Sequence, residues 1–224
     1  MQQTFARWFL LVLTGICTTG YAQTNYRQYV NPFIGTGGHG HTYPGATLPH
    51  GMVQLSPDTR LDGWDGCGGY HYSDSFIYGF THTHLSGTGV SDYGDVLLMP
   101  MQGSPSDNRN IYGSAFSHAQ ESARPGYYSV RLNDDAIDAD FTTSTRVGLH
   151  RYRFTKAGYS SVIIDLEHRD AVIRSSIRME DSVTVTGIRI SKAWAREQHE
   201  YFVIKFSQPI RNWQQWNHHL LTAG

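Results

Sequence analysis

Cysteine is nearly absent: the 224 residues hold two, Cys17 and Cys67. Cys17 falls in a leader described below, so Cys67 stands alone and an intramolecular disulfide is excluded even in an oxidising compartment. Lysine is almost as scarce, with Lys156, Lys192 and Lys205 the whole complement. The 18 Lys+Arg against 19 Asp+Glu leave a formal net charge of −1, and no basic run provides the footprint that a phosphate backbone needs. Nucleic acid is therefore not an expected partner. Long apolar runs are missing too. The stretch from Trp8 to Ile16 is too short to cross a hydrocarbon layer of roughly 30 Å, so no membrane span is expected.

That short apolar stretch reads instead as export machinery. Arg7 supplies a positive n-region, Trp8 to Ile16 the apolar core, and Gly20-Tyr21-Ala22 a small-x-small cleavage site. A mature chain beginning at Gln23 is expected outside the cytoplasm, secreted or periplasmic. A lipid anchor on Cys17 is not expected, because the bulky Ile16 stands where lipoprotein signals carry a small residue. Residues 1–22 thus form a signal peptide and 23–213 one β domain. Residues 214–224 read as an irregular tail, unlike a strand or a finished domain edge.

From residue 127 onward, runs rich in β-branched and aromatic residues predict strands at 127–132, 136–142, 147–154, 161–166, 183–190 and 201–206. Residues 148–154 alternate cleanly, with Leu149, Arg151 and Arg153 on one face and His150, Tyr152 and Phe154 on the other. Turn chemistry separates the runs, as at Asn133-Asp134-Asp135 and Lys156-Ala157-Gly158. Such spacing without a long amphipathic helix predicts a mainly β fold, an antiparallel β-sandwich with long loops rich in Gly, His and aromatics. The loops lie within residues 31–94, which hold 14 of the 23 glycines and six of the 12 histidines. Short strands are expected there at 52–55, 77–84 and 95–101.

The densest chemistry lies in Asp62-Gly63-Trp64-Asp65-Gly66-Cys67-Gly68-Gly69-Tyr70. An indole beside carboxylates on a glycine-rich backbone suits a neutral polar ligand such as a sugar, whose C–H face stacks on the ring and whose hydroxyls donate to the carboxylate. A buried Trp between two turn-forming Asp residues explains the same string. Glycines on both sides, and no alternating pattern through it, put Trp64 on an exposed rim.

His82 and His84, two apart on a strand, would share a face, and His71 could complete a zinc set. No zinc spacing matches, and hydrogen-bonded structural histidines are the expectation. His39, His41 and His50 are isolated loop features. The glycine run 35–40 lacks the Gly-Lys-Ser/Thr ending and the helix of a phosphate loop. Ser86 and Ser91 have no nucleophile-elbow context. Asp92 and Asp95 fit a turn before a strand more simply than an acid–base pair.

Long motifs then narrow the reading. Residues 29–46 (YVNPFIGTGGHGHTYPGA), 49–58 (PHGMVQLSPD), 63–72 (GWDGCGGYHY) and 80–89 (FTHTHLSGTG), with Gly94-Asp95-Val96, Gly126-Tyr127-Tyr128 and His150-Arg151-Tyr152, resemble the start of glycoside hydrolase family 92. The likeness runs from about residue 26 to about 213. It implies a calcium-dependent, inverting exo-α-mannosidase with an N-terminal β-sandwich followed by a larger helical-barrel domain that supplies acid, base and most calcium contacts. The loop offered to the sugar corresponds to residues 63–70, with Trp64 and Asp65 as substrate contacts. The chain stops at Gly224, where the family continues for several hundred residues. A truncated or frameshifted reading frame without the barrel is therefore expected, inactive alone, with no catalytic residue of its own and no calcium bound. A free-standing carbohydrate-binding module is the alternative.

Overall fold

The computed structural model describes residues 25–103, 112–217 and 220–223. The leader read at 1–22 lies outside the described residues. Strands in the first half are short: β1 (Ala46–Thr47), β2 (Gln54–Asp58), β3 (Phe76–Ile77), β4 (Gly79–Thr81), β5 (Leu97–Gln102) and β6 (Ser114–Ala115). They lengthen through β7 (Glu121–Arg124), β8 (Tyr127–Leu132), β9 (Ile137–Thr143), β10 (Gly148–Phe154) and β11 (Ser160–Asp165). The rest are β12 (Ala171–Met179), β13 (Thr184–Lys192), β14 (Gln198–Lys205), β15 (Gln214–Asn217) and β16 (Leu220–Ala223). No helix among the described residues is long and apolar enough to cross a membrane.

Three sheets form the body. A five-stranded sheet ordered β1-β2-β4-β5-β11 is covered on one face by the four-stranded sheet β10-β9-β8-β7 and on the other by the three-stranded sheet β12-β13-β14. The period of two along β5 explains how one sheet serves two cores. Leu97 and Met99 point into the larger core with Phe80, Tyr128, Leu132, Ile137 and Phe141, while Leu98 points the other way into the smaller core, where Val96, Leu166, Ile177 and Phe202 gather. Phe80 and Phe141 meet across the larger core with centroids 4.2 Å apart. Each such fully buried side chain contributes about 1.5–3 kcal/mol of transfer free energy. The expected sandwich is present, with a third sheet added to it.

Along β10 the faces separate as the alternation requires: Leu149, Arg151 and Arg153 are exposed, and His150, Tyr152 and Phe154 turn inward. Three local readings differ from the structure. The strand expected at 77–84 is two strands, because the chain changes partners at Tyr78: β3 pairs with β6, and β4 with β2 and β5. Strand β12 went unread because a register shift between Val172 and Arg174 breaks its alternation. In the tail 214–224, read as irregular, β15 and β16 pair antiparallel, Gln214 opposite Ala223 and Asn217 opposite Leu220.

Candidate functional site

Residues 63–70 leave the sheet and turn back on it. Trp64–Gly66 forms a single 3-10 turn, closed by the Cys67 amide donating to Trp64 O at 3.2 Å. The loop's end is anchored by Tyr70, whose hydroxyl donates to the buried Glu121 carboxylate at 3.0 Å; Tyr128 OH and His118 Nδ1 meet the same carboxylate at 2.6 and 2.7 Å. Burial and the Glu121 charge push the Tyr70 phenol far above its ordinary range, so it stays a donor at any physiological pH.

Trp64 is 57% exposed, on the rim where the glycine pattern put it. Two imidazoles bracket it: His39 at 5.0 Å between centroids and 41° between planes, and His41 at 4.4 Å and 83°. A third loop supports the ring, and a Cβ on Gly89 would lie only 2.7 Å from Trp64 Nε1, so the approach requires glycine. Asp65 stands beside the indole with Oδ1 2.7 Å from His39 Nδ1. That hydrogen bond holds its carboxyl below the usual carboxylate range. His41 Nε2 is 3.5 Å from the same oxygen and has no hydrogen-bond partner, although the residue is buried. An open aromatic ring with an ionised carboxylate beside it on one rim makes a polar site able to stack on a ring and accept hydrogen bonds from hydroxyls.

The other histidines do not converge. The chain leaves β4 at Thr81, so the two-residue rule no longer relates His82 to His84. His82 Nδ1 donates to Val96 O at 2.7 Å, and its Nε2 faces His150 Nε2 at 2.9 Å. His84 lies elsewhere, with Nδ1 2.8 Å from Gln54 O and Nε2 2.8 Å from Asp58 Oδ1. The His84 ring is thus held at both nitrogens, with Nε2 against the buried Asp58 carboxylate and the Thr81 hydroxyl 2.9 Å away. His168 Nε2 meets Asp58 Oδ2 at 2.7 Å. Burial works to raise the Asp58 carboxyl, and the two histidines outweigh it, holding it far below the usual range. His71 is bonded to Ser73 and Gly38 O. No group of three His, Cys, Asp or Glu among the described residues is placed to hold a metal ion.

Asp92 and Asp95 are buried rather than open to a substrate. Asp95 pairs with Arg189 Nη1 and accepts from Thr83 at 2.8 Å and Gln198 at 2.6 Å. Asp92 accepts from the amides of Tyr93 at 2.9 Å and Ala195 at 3.4 Å. Beside it Arg169, a residue no motif singled out, reaches from the far side of β11 to Gly66 O at 3.0 Å. Of the aromatics at the end of the chain, Trp194 and Trp213 are exposed.

Comparison with known proteins gives the family of this mainly β, antiparallel domain. Residues 29–224 match the model of the glycosyl hydrolase family 92 N-terminal domain. The chain belongs to glycoside hydrolase family 92 and carries its N-terminal domain. A family GH92 α-mannosidase of Bacteroides thetaiotaomicron, also solved with mannoimidazole, superposes with a TM-score of 0.78 at 34% identity over 88% of this chain and 30% of that one. An inverting mannosidase of the same family from B. thetaiotaomicron VPI-5482 gives 0.77 at 28% identity, over 91% and 28%. An uncharacterized secreted glycosidase of the fungus Arthroderma benhamiae is 34% identical over 134 residues, 57% of this chain and 17% of that protein. The chain thus spans less than a third of the length of these relatives.

Proposed function

We propose that this chain is the substrate-contacting and structural N-terminal domain of an exported α-mannosidase that hydrolyses terminal α-mannosides of N-glycans or mannans with inversion. Trp64 serves as the platform for the sugar ring, and Asp65 accepts its hydroxyl protons. The observation that carries this reading is the open Trp64 ring with the ionised Asp65 beside it, on a domain of family 92. Export rests on the leader at 1–22, and the fungal relative described as secreted supports it.

An inverting glycosidase needs two carboxyl groups roughly 6.5–9.5 Å apart about the glycosidic bond. Here Asp65 is engaged by His39, while Asp58, Asp92 and Asp95 are buried among their partners. Trp64 and Asp65 bind, the buried carboxylates hold the fold together, and acid and base come from the helical domain that the family resemblance implies. The family resemblance assigns most of its calcium contacts to that helical domain as well. A stand-alone carbohydrate-binding module is the second reading, favoured because the rim is assembled from residues of this chain alone.

The test combines calorimetric binding of methyl α-mannoside with release of 4-nitrophenol from its α-mannoside, with and without calcium. Weak binding that Trp64→Ala abolishes, and no turnover above the blank, is the expected result; binding in the ground state lowers no barrier. Turnover by the unaltered chain, or binding that survives Trp64→Ala, contradicts the proposal.

A further inference from the structure

We infer that Arg169 is a positioning residue for the sugar-contacting turn, setting where the Trp64 indole stands. The inference rests on the reading of Trp64 as a sugar contact. It is carried by a set of contacts that converge on one guanidinium far away in sequence.

Arg169 follows β11 and is only 6% exposed. Its Nη2 donates to two acceptors, Gly66 O at 3.0 Å and Ser91 Oγ at 2.6 Å. Gly66 is the last residue of the turn that begins at Trp64. Ser91 lies in the loop whose Gly89 backs the indole nitrogen. One nitrogen therefore ties the turn bearing the ring to the loop supporting the ring, with one N–H for each. The side chain is held along its length: a Cβ on Gly94 would lie 2.5 Å from Arg169 Cδ. The backbone is held as well, since Arg169 O accepts from Arg189 Nη2, and Arg189 is fixed by Asp95 and by Leu166 O at 2.8 Å. The turn is thus referenced through Arg169 to β13 in the third sheet. The 3-10 turn is buried only at Gly66, and a charge-assisted bond to the Gly66 carbonyl ties that buried end to a rigid donor.

A purely structural Arg169 would lower stability when removed but would not specifically move Trp64. The test uses the full chain labelled with 5-fluorotryptophan, with the Trp64 19F resonance assigned from Trp64→Phe. Arg169→Met keeps the stem and removes both bonds. It is expected to shift and broaden the Trp64 resonance while the other indole signals stay, and to weaken methyl α-mannoside binding about tenfold. Arg169→Lys, which can offer one nitrogen to both acceptors, is expected to recover part of each change. A Trp64 resonance unmoved in folded Arg169→Met overturns the inference. If that variant does not fold, Ser91→Ala removes one of the two bonds, and an unmoved resonance there overturns it equally. Failure of the unaltered chain to bind the mannoside defeats the sugar reading alone; the 19F comparison still decides whether Arg169 sets the turn.

Discussion

His82 and His150 face each other nitrogen to nitrogen, Nε2 to Nε2, at 2.9 Å, and so couple the segment that leaves β4 to β10 of the neighbouring sheet. Their other partners assign the protons. Val96 O can only accept, so His82 carries its proton on Nδ1 and offers a lone pair at Nε2. His150 must then donate from Nε2 and accept at Nδ1 from Tyr152 OH, 2.7 Å away. The chain of bonds runs in one direction, and both rings must be neutral for it to form.

Acid should therefore loosen this seam. Burial lowers both rings, His82 to about 4 and His150 well below its ordinary value. The unfolded rings bind protons from about pH 6.5 downward while the folded rings do not, so stability is lost between about pH 6.5 and 4. For one ring the loss by pH 5 is about 2 kcal/mol. Urea unfolding at pH 7.5 and 5 should show a smaller acid loss in the double variant His82→Gln/His150→Gln than in the parent. An equal loss in both would contradict the coupling.

Gly69 stands where space and backbone both demand glycine. Its φ is +79°, and an added Cβ would fall 2.2 Å from Asp58 Oδ1 and 3.0 Å from His84 Nε2, inside the buried Asp58–His84 contact. Gly87 has a similar φ of +72° and open space around it. Gly87→Ala should cost about 1 kcal/mol of backbone strain and Gly69→Ala clearly more, because it also disrupts the Asp58 pair. Thermal unfolding of the two variants side by side checks the order.

Arg189, 1% exposed, is lowered by burial to about 10 and stays charged at neutral pH against Asp95. Arg189→Met leaves Asp95 buried with Thr83 and Gln198 alone. A loss of about 3–5 kcal/mol is expected, since an uncompensated buried charge costs more than the pair contributed. Adding Asp95→Asn should restore part of it, and a double variant no more stable than Arg189→Met would refute this account.

Asp170 carries the opposite pH signature. Burial, and then the neighbouring Asp92 carboxylate, raise it to about 6, and its Oδ2 has no hydrogen-bond partner. The folded state then holds a proton that the unfolded state releases, so the contribution is full below about pH 4 and is lost as pH rises through 6. Asp170→Asn should match the parent at pH 4 and exceed its stability at pH 7.5. The residue is only partly buried and solvent damps the effect, so the sign is what denaturation at the two pH values tests.

Much of the scaffold was legible because its signals are local. β8, β9 and β10 follow from alternation and turn residues within a few positions of each strand, and the inward set of β10 follows from its period of two. Trp64 on a rim was legible for the same reason, since the glycines that deny it a strand are its neighbours. β12 was not, because a bulge shifts its phase.

The class of fold, the family and the residue types offered at the rim are all written in the chain, since they reside in short-range pattern and in long uninterrupted motifs. The tertiary structure alone decided what those residues touch. His39 and His41 looked like isolated loop features until the fold brought both within 5.0 Å of the Trp64 ring, centroid to centroid. His82 and His84, two positions apart, went to different partners once the chain left its strand. Arg169 gave no signal at all, because a hydrogen bond to Gly66 O from 103 positions away depends on how three sheets stack. Periodicity records which way a side chain points from its own strand; only packing decides what waits for it there.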